Sequence, residues 1–134
     1  MKESLILLVL ACAAANLYAA SEATDIPKRL EEFPGKDSPE ASIFRGSIVF
    51  NSYCILCHGR DADGKGRAAK LYSPPPANLV TSDKNDQYKE MIVRRGGKFM
   101  GRSEFMPPWD QELTNEQIGD LVTFLRSIGS KKPS

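Results

Sequence analysis

The sequence predicts one small all-α domain. Three stretches repeat apolar residues at helical spacing, and no run alternates apolar and polar residues for long enough to predict a sheet. At 134 residues the chain can bury a single hydrophobic core but not two. These observations place the protein among small helical domains.

The first predicted helix lies in "SIFRGSIVFNSYC", where Ile43, Gly46, Phe50 and Cys54 recur at spacings of three and four. Residues 59–79 follow it and are rich in Gly, Asp and Pro. Such a composition predicts a long loop that contains at most a brief helical turn.

The second helix is predicted over "DKNDQYKEMIVRRGG", with Gly96 and Gly97 as its stop. One side of this helix carries Tyr88, Met91, Ile92 and Arg95.

The third helix begins at a capping box formed by Thr114 and Gln117. Its apolar face is predicted to consist of Ile118, Leu121, Val122 and Leu125.

Residues 1–20 are built like an export signal, with Lys2, an apolar run and then small residues. Cleavage is predicted between residues 15 and 23. The apolar run is too short for a transmembrane span, and Cys12 fits it as a small apolar residue, with an acylated, membrane-anchoring Cys12 as the alternative. Residues 21–41 then form a charged, proline-containing arm, which leaves 42–130 as the folded domain.

The formal net charge of the chain is +1, and its acidic residues are concentrated in the arm. This balance excludes a nucleic-acid-binding surface, for which a basic stripe and a much higher isoelectric point are expected. A monomer without nucleic-acid partners is predicted.

The motif with chemical meaning is "CILCH", in which Cys54 and Cys57 are followed by His58, the only histidine of the chain. A zinc site lacks further ligands, since no second cysteine pair exists. A thioredoxin-like redox pair requires a βαβ context that the helical pattern does not offer. Covalent attachment of a haem remains, with two thioethers to the cysteines and His58 as an iron ligand.

The sixth iron ligand must be a methionine, a lysine or an open position, because a second histidine is absent. Met106 is the favoured methionine, since "MPPW" places two prolines directly after it and so stiffens the loop. Met100 lies in a less constrained stretch and is the weaker candidate.

Several segments occur in one order: Gly46 and Phe50, "CILCHG", "PPPANL", the glycine pair, "GRSEFMPPW" and "LTNEQIGDLVTFLRSI". Together they resemble a bacterial class I monohaem cytochrome c over about residues 42–128. The resemblance implies about three to five short helices wrapped around one covalently attached haem c with His58 and Met106 as axial ligands.

The resemblance also implies that the first and last helices cross at close range, where Gly46 admits the other backbone and Phe50 and Phe124 pack. It further implies that the carbonyl of a proline accepts the Nδ1 proton of His58. Pro74, Pro75 and Pro76 are the candidates.

The function implied is a periplasmic one-electron carrier rather than an enzyme, exchanging electrons between a reductase and an oxidase or second reductase. An apolar haem surround is expected from Leu71, Ile92, Phe105, Trp109, Leu121 and Leu125. A cationic cluster is expected either to balance the haem propionates or to form a docking rim for an acidic partner: Arg94, Arg95, Lys98 and Arg102. The alternatives are a haem subunit of a larger oxidoreductase and a gas-binding sensor with a labile sixth ligand.

Overall fold

The structure, a computed structural model, describes residues 35–129. Within this range it contains no strand, so the all-α prediction is confirmed. The elements are α1 (Pro39–Tyr53), α2 (Ile55–His58), a 3₁₀ turn (Ala69–Leu71), α3 (Asp86–Phe99) and α4 (Asn115–Gly129). The predicted export signal and most of the predicted arm lie outside the described residues.

Helix α1 begins earlier than the predicted domain start at residue 42. The Ser38 hydroxyl accepts a hydrogen bond from the amide of Ala41 at 3.1 Å, and Pro39 occupies the first turn. Serine is a favoured N-cap, and proline fits the first turn because the amide that it lacks would have no helical partner. The last residues assigned to the arm therefore belong to the helix.

Helix α3 is capped by Asn85, whose side-chain oxygen accepts from the amide of Tyr88 at 2.9 Å. Its regular geometry ends at Gly96, which has φ of 77° and ψ of 168°, as the predicted glycine stop requires. The side that packs into the protein core centres on Val93 instead of the predicted row of apolar residues, and Met91 is exposed.

Helix α4 starts at the predicted capping box. The amide of Thr114 donates to the side-chain oxygen of Gln117 at 2.9 Å, and the amide of Gln117 donates to the Thr114 hydroxyl at 3.2 Å. The predicted apolar face of this helix is buried, with Ile118 and Leu121 almost fully so.

The core forms where α1 crosses α4. A Cβ on Gly46 would collide with the carbonyl group of Asp120 and lie 2.8 Å from the Cβ of Phe124. Beside this contact the rings of Phe50 and Phe124 have centroids 5.4 Å apart at 45°. The close helix crossing implied by the resemblance is thus confirmed, and it depends on a residue without a side chain.

An ion pair joins the same two helices. The Asp120 carboxylate is buried, at 6% exposure, and accepts from the Ser42 hydroxyl and the Nε of Arg45, both at 2.6 Å. A second guanidinium nitrogen of Arg45 donates to the carbonyl of Lys36 at 2.6 Å. The hydrogen bonds from Arg45 and Ser42 hold the pKa of Asp120 below its usual range.

Candidate functional site

The turn after α1 carries the cysteine pair and the histidine. Cys54 joins α1 to α2, and its carbonyl accepts from the amides of Cys57 and His58 at 3.2 and 2.9 Å. These bonds fold the motif into one helical turn at the end of a long helix. Both thiols are free of disulfide bonds and partly buried.

The cysteine turn has too few candidate ligands near it, among residues 35–129, for a metal–thiolate centre. Burial, reinforced by the neighbouring Cys57, raises the pKa of Cys54 to about 12, so the sulfur is a neutral thiol at physiological pH. Among residues 35–129 there is also no group of three or more His, Cys, Asp or Glu side chains that could hold a metal ion. Two free cysteines on one turn suit thioether formation to a porphyrin.

The ring of His58 is held by a backbone carbonyl. Its Nδ1 lies 3.0 Å from the carbonyl oxygen of Ala77, which can only accept, so Nδ1 carries the proton and Nε2 keeps its lone pair. Burial lowers the pKa of His58, and the bond to Ala77 partly opposes this shift. A neutral imidazole with a free Nε2 is the form that binds iron.

The carbonyl that accepts from His58 corrects the expectation that Pro74, Pro75 or Pro76 would supply it. The proline run brings the chain towards the histidine, but the carbonyl within reach belongs to the next residue, Ala77. The loop is fixed there because the amide of Leu79 donates to the carbonyl of Ala62 at 2.8 Å.

Met106 lies on a loop that is seated on the end of α3. The amide of Gly97 donates to the Met106 carbonyl at 2.8 Å, and the amide of Arg102 donates to the Gly97 carbonyl at 2.8 Å. A Cβ on Gly97 would collide with the carbonyl oxygen of Ser103 and lie 3.0 Å from the Cβ of Met106, so only glycine admits this approach. The glycine pair was predicted to stop a helix, but its contact with the loop that carries Met106 was not predicted.

The structure thus gathers Cys54, Cys57 and His58 on one turn and places Met106 on a separate loop. The partly buried Met106 borders a cavity of about 420 Å³ that is also lined by Phe99 and Pro108. No hydrogen bond within residues 35–129 links Met106 to the cysteine turn.

Large apolar side chains near both segments are exposed. Leu56 lies between the cysteines, Phe99 borders the Met106 cavity, and Leu71 is 78% exposed. Phe105, next to Met106, is exposed and stacks on Tyr72 with ring centroids 4.9 Å apart. A protein core would bury such residues, so this surface fits an apolar group such as a porphyrin.

The predicted haem surround divides into two parts. Leu121 and Leu125 lie in the protein core, and Ile92 and Trp109 are partly buried. Leu71 and Phe105 are exposed and remain available to a haem. Together with the two free cysteines and the oriented imidazole, the residues present fit a covalently attached haem.

The predicted cationic cluster also divides. Arg94 donates to Glu90 at 2.9 Å and to Asn115 at 2.8 Å, which ties it to another part of the surface. Arg95 lies over the Phe99 ring at 4.4 Å and borders the Met106 cavity. Lys98 and Arg102 line a second cavity beside Phe105.

No helix of residues 35–129 has the length and apolar character needed to cross a bilayer.

Comparison with known proteins finds relatives that are named as subunits of an alcohol dehydrogenase and of a cytochrome c oxidase. The chain is 28% identical to an alcohol dehydrogenase (quinone) cytochrome c subunit of Gluconacetobacter polyoxogenes, over 66% of this chain and 19% of the relative. It is 28% identical to the cbb3-type cytochrome c oxidase subunit CcoP of Azospirillum brasilense, over 72% of this chain and 32% of the relative. The chain therefore spans between about a fifth and a third of the length of these relatives.

Among solved structures, a chain of the reducing HAO-like protein complex of Kuenenia stuttgartiensis matches with a TM-score of 0.53 and 28% identity, covering 63% of this chain and 41% of that one. The family described as cytochrome c oxidase, cbb3-type, subunit III matches residues 41–125. Since this match covers well over half of the sequence, the chain belongs to that family of cytochrome c domains.

Proposed function

We propose that this chain is a one-electron carrier that is exported to the periplasm, with one haem c bonded to Cys54 and Cys57 and ligated by His58 and Met106. It exchanges electrons between a reductase and an oxidase or second reductase. Membership of the cytochrome c family implies a covalently bound haem c. A count of one haem is supported by the single "CILCH" motif and the single histidine.

Two devices support axial ligation by this chain. The Ala77 carbonyl fixes the tautomer and the ring plane of His58. The Gly97 amide fixes the backbone of Met106, so the thioether is positioned by a hydrogen-bonded loop rather than by side-chain packing alone. When bound, the haem supplies a one-electron couple between ferric and ferrous iron.

Ligation on both faces favours electron transfer over catalysis. With His58 and Met106 both bound, no position on the iron is open to a substrate or a gas. A thioether ligand also favours the ferrous state more than a second imidazole would, so a positive reduction potential is expected. The exposed Leu71 and Phe105 would exclude water from the haem and favour the same state.

The single observation that carries this proposal is the hydrogen bond of 2.8 Å between the Gly97 amide and the Met106 carbonyl. We expect Met106→Ala to retain the haem, lose the sulfur-to-iron charge-transfer band in the far red of the oxidised spectrum, and bind carbon monoxide. Met100→Ala is the matched control and should keep the band. If the band survived Met106→Ala, ligation by this residue would be wrong.

A second candidate function is favoured by the comparisons. The relatives from Gluconacetobacter and Azospirillum are named as subunits, and this chain matches only part of each. The chain would then pass electrons within a larger oxidoreductase. Size-exclusion chromatography of native extract, followed by haem absorbance, separates a free particle of about the chain's mass from a bound subunit.

The alternative of a gas sensor has a separate test. Wild-type protein that bound carbon monoxide readily would favour it.

A further inference from the structure

A second cavity, of about 340 Å³, opens beside the loop that carries Met106. Ser73 and Pro74 form one wall, and Ser103, Glu104 and Phe105 form part of the other. Lys98 and Arg102 complete the lining. The cavity is therefore bounded by two loops and by the end of α3.

These two loops position the candidate axial ligands: one orients His58 and the other carries Met106. The first leads to Ala77, whose carbonyl orients the His58 ring. The second leads directly to Met106. The contact between Tyr72 and Phe105, with ring centroids 4.9 Å apart, joins the loops. A porphyrin ligated by both His58 and Met106 must have part of its perimeter between them.

The two halves of a haem perimeter carry different chemical groups. The vinyl carbons that bond to Cys54 and Cys57 lie on one half of a haem, and the two propionate carboxylates lie on the other. The cavity is lined by neither cysteine and by no residue of α1 or α2. Its two cations and two hydroxyls suit the carboxylate half.

We propose that Lys98 and Arg102, together with the hydroxyls of Ser73 and Ser103, bind the haem propionates. The proposal rests on the ligation by His58 and Met106 proposed above. It assigns two of the four residues of the cationic cluster, Lys98 and Arg102, to a site within the protein rather than to a docking rim.

The two cations are placed for this task. The Nε of Arg102 donates to the Tyr88 hydroxyl at 3.1 Å, which orients the guanidinium and leaves its terminal nitrogens to bind an anion. Lys98 makes no ion pair with any other residue from 35 to 129. Two carboxylates lie near these cations, since Glu104 lines the cavity and the negative charge of Asp83 interacts with Arg102. The cations must therefore offset these carboxylates as well as the propionates.

A testable consequence follows for the reduction potential. Bound cations keep both propionates ionised, so reduction of the iron takes up one electron and no proton near neutral pH. Without the cations, a propionate becomes easier to protonate, and the ferrous state binds that proton more tightly because the iron has lost one positive charge. Reduction would then take up an electron together with a fraction of a proton.

The experiment is potentiometric titration of purified holoprotein over about pH 4 to 8, a range that reaches down to the ordinary carboxyl pKa. Wild type should show a potential that is independent of pH down to about pH 5. Lys98→Gln and Arg102→Gln should lower the potential at pH 8, and their potential should begin to fall with rising pH about one pH unit above any fall seen in wild type. Arg94→Gln removes the same charge from α3 at the site paired with Glu90 and Asn115, and should leave the profile flat.

Each outcome decides the matter. A wild-type potential that fell steadily through neutral pH would overturn the proposal, and this needs no variant to fold. The proposal would also be overturned if the potential depended on pH in the same way in Lys98→Gln, Arg102→Gln and Arg94→Gln. The same holds if these substitutions changed only the salt dependence of electron transfer to an acidic partner. Should the Gln variants fail to attach haem, Lys98→Arg and Arg102→Lys must keep the flat profile. Loss of the far-red band in wild type would instead contradict the proposed ligation.

Discussion

At Gly46 the backbone of α1 touches the backbone of α4, and the space that a side chain would need is taken by the carbonyl of Asp120 and the Cβ of Phe124. Gly119, on the facing helix, differs because a Cβ there would meet nothing within 4 Å. A side chain is thus excluded at Gly46 and tolerated at Gly119, so alanine substitutions at these two positions can be compared directly.

We expect Gly46→Ala to lower the free energy of unfolding by about 3 kcal/mol or more, because the helices must separate to admit the methyl group. Gly119→Ala should raise it by about 0.5–1 kcal/mol, because alanine restricts the unfolded chain and favours the helix. Guanidinium unfolding of the holoprotein, followed by circular dichroism, measures both. Equal effects of the two substitutions would contradict the close crossing.

Single residues also show where sequence reasoning stops. The motif "CILCH" could be interpreted directly, because its spacing has few chemical meanings. The carbonyl that orients His58 could not, since any residue of the loop has a carbonyl and only the path of the chain selects Ala77.

At the scale of elements, α1 and α4 are joined by the buried carboxylate of Asp120 as well as by apolar packing. Ser42 and Arg45 both donate to this carboxylate from α1. Breaking a hydrogen-bonded pair at a buried carboxylate leaves polar groups without partners, so its protonation should weaken the helix crossing.

The pKa of Asp120 is lowered in the folded protein, chiefly by its hydrogen bond from Arg45. Its stabilising contribution should therefore be complete above the unfolded-state pKa of about 4 and be lost as the pH falls through the lower folded-state value. We expect Asp120→Asn to be less stable at neutral pH and to lose less further stability between about pH 5 and 2 than wild type.

Thermal unfolding across this pH range tests the expectation. Asp83→Asn is the control, because Asp83 pairs with Lys84 while its side chain is 84% exposed, and exposed pairs contribute little. If Asp120→Asn lost as much stability as wild type between about pH 5 and 2, the acid sensitivity would belong to other groups, such as His58.

The helices themselves could be predicted because apolar spacing and caps are local signals. The capping box of α4 and the glycine stop of α3 are examples. The side of α3 that enters the core could not be predicted, since periodicity identifies Met91 as apolar without saying whether protein or a cofactor covers it. The hydrogen bond between the Gly97 amide and the Met106 carbonyl was not predicted, because it depends on contact between separate segments of the chain.

At the scale of the whole molecule, the part of the core that the described residues form among themselves is small. Among residues 35–129 only Phe50, Ile118 and Leu121 are large and almost fully buried, while Leu56, Leu71, Met91, Phe99 and Phe105 are exposed. A domain of this size has little stability to spare, so a haem that covers these side chains would supply a large share of it.

We expect the haem-free double variant Cys54→Ala/Cys57→Ala, made without the haem-attachment machinery, to lose most of its helical signal and to show no cooperative melting transition. Burial of apolar surface by the haem is the physical reason. Circular dichroism and calorimetry provide the measurement, with the wild-type holoprotein and Cys57→Ala attached through one thioether as controls. A cooperative transition in the haem-free chain would show that the protein core is sufficient.

The bond from Arg45 to the carbonyl of Lys36 fixes the point at which the chain enters this domain. That point adjoins the first turn of α1, whereas the cysteine turn follows its last residue, and 15 helical residues place the two about 22 Å apart. Because Arg45 also binds Asp120 on α4, the chain is anchored at Lys36 to the crossing of α1 and α4 and not to the cysteine turn.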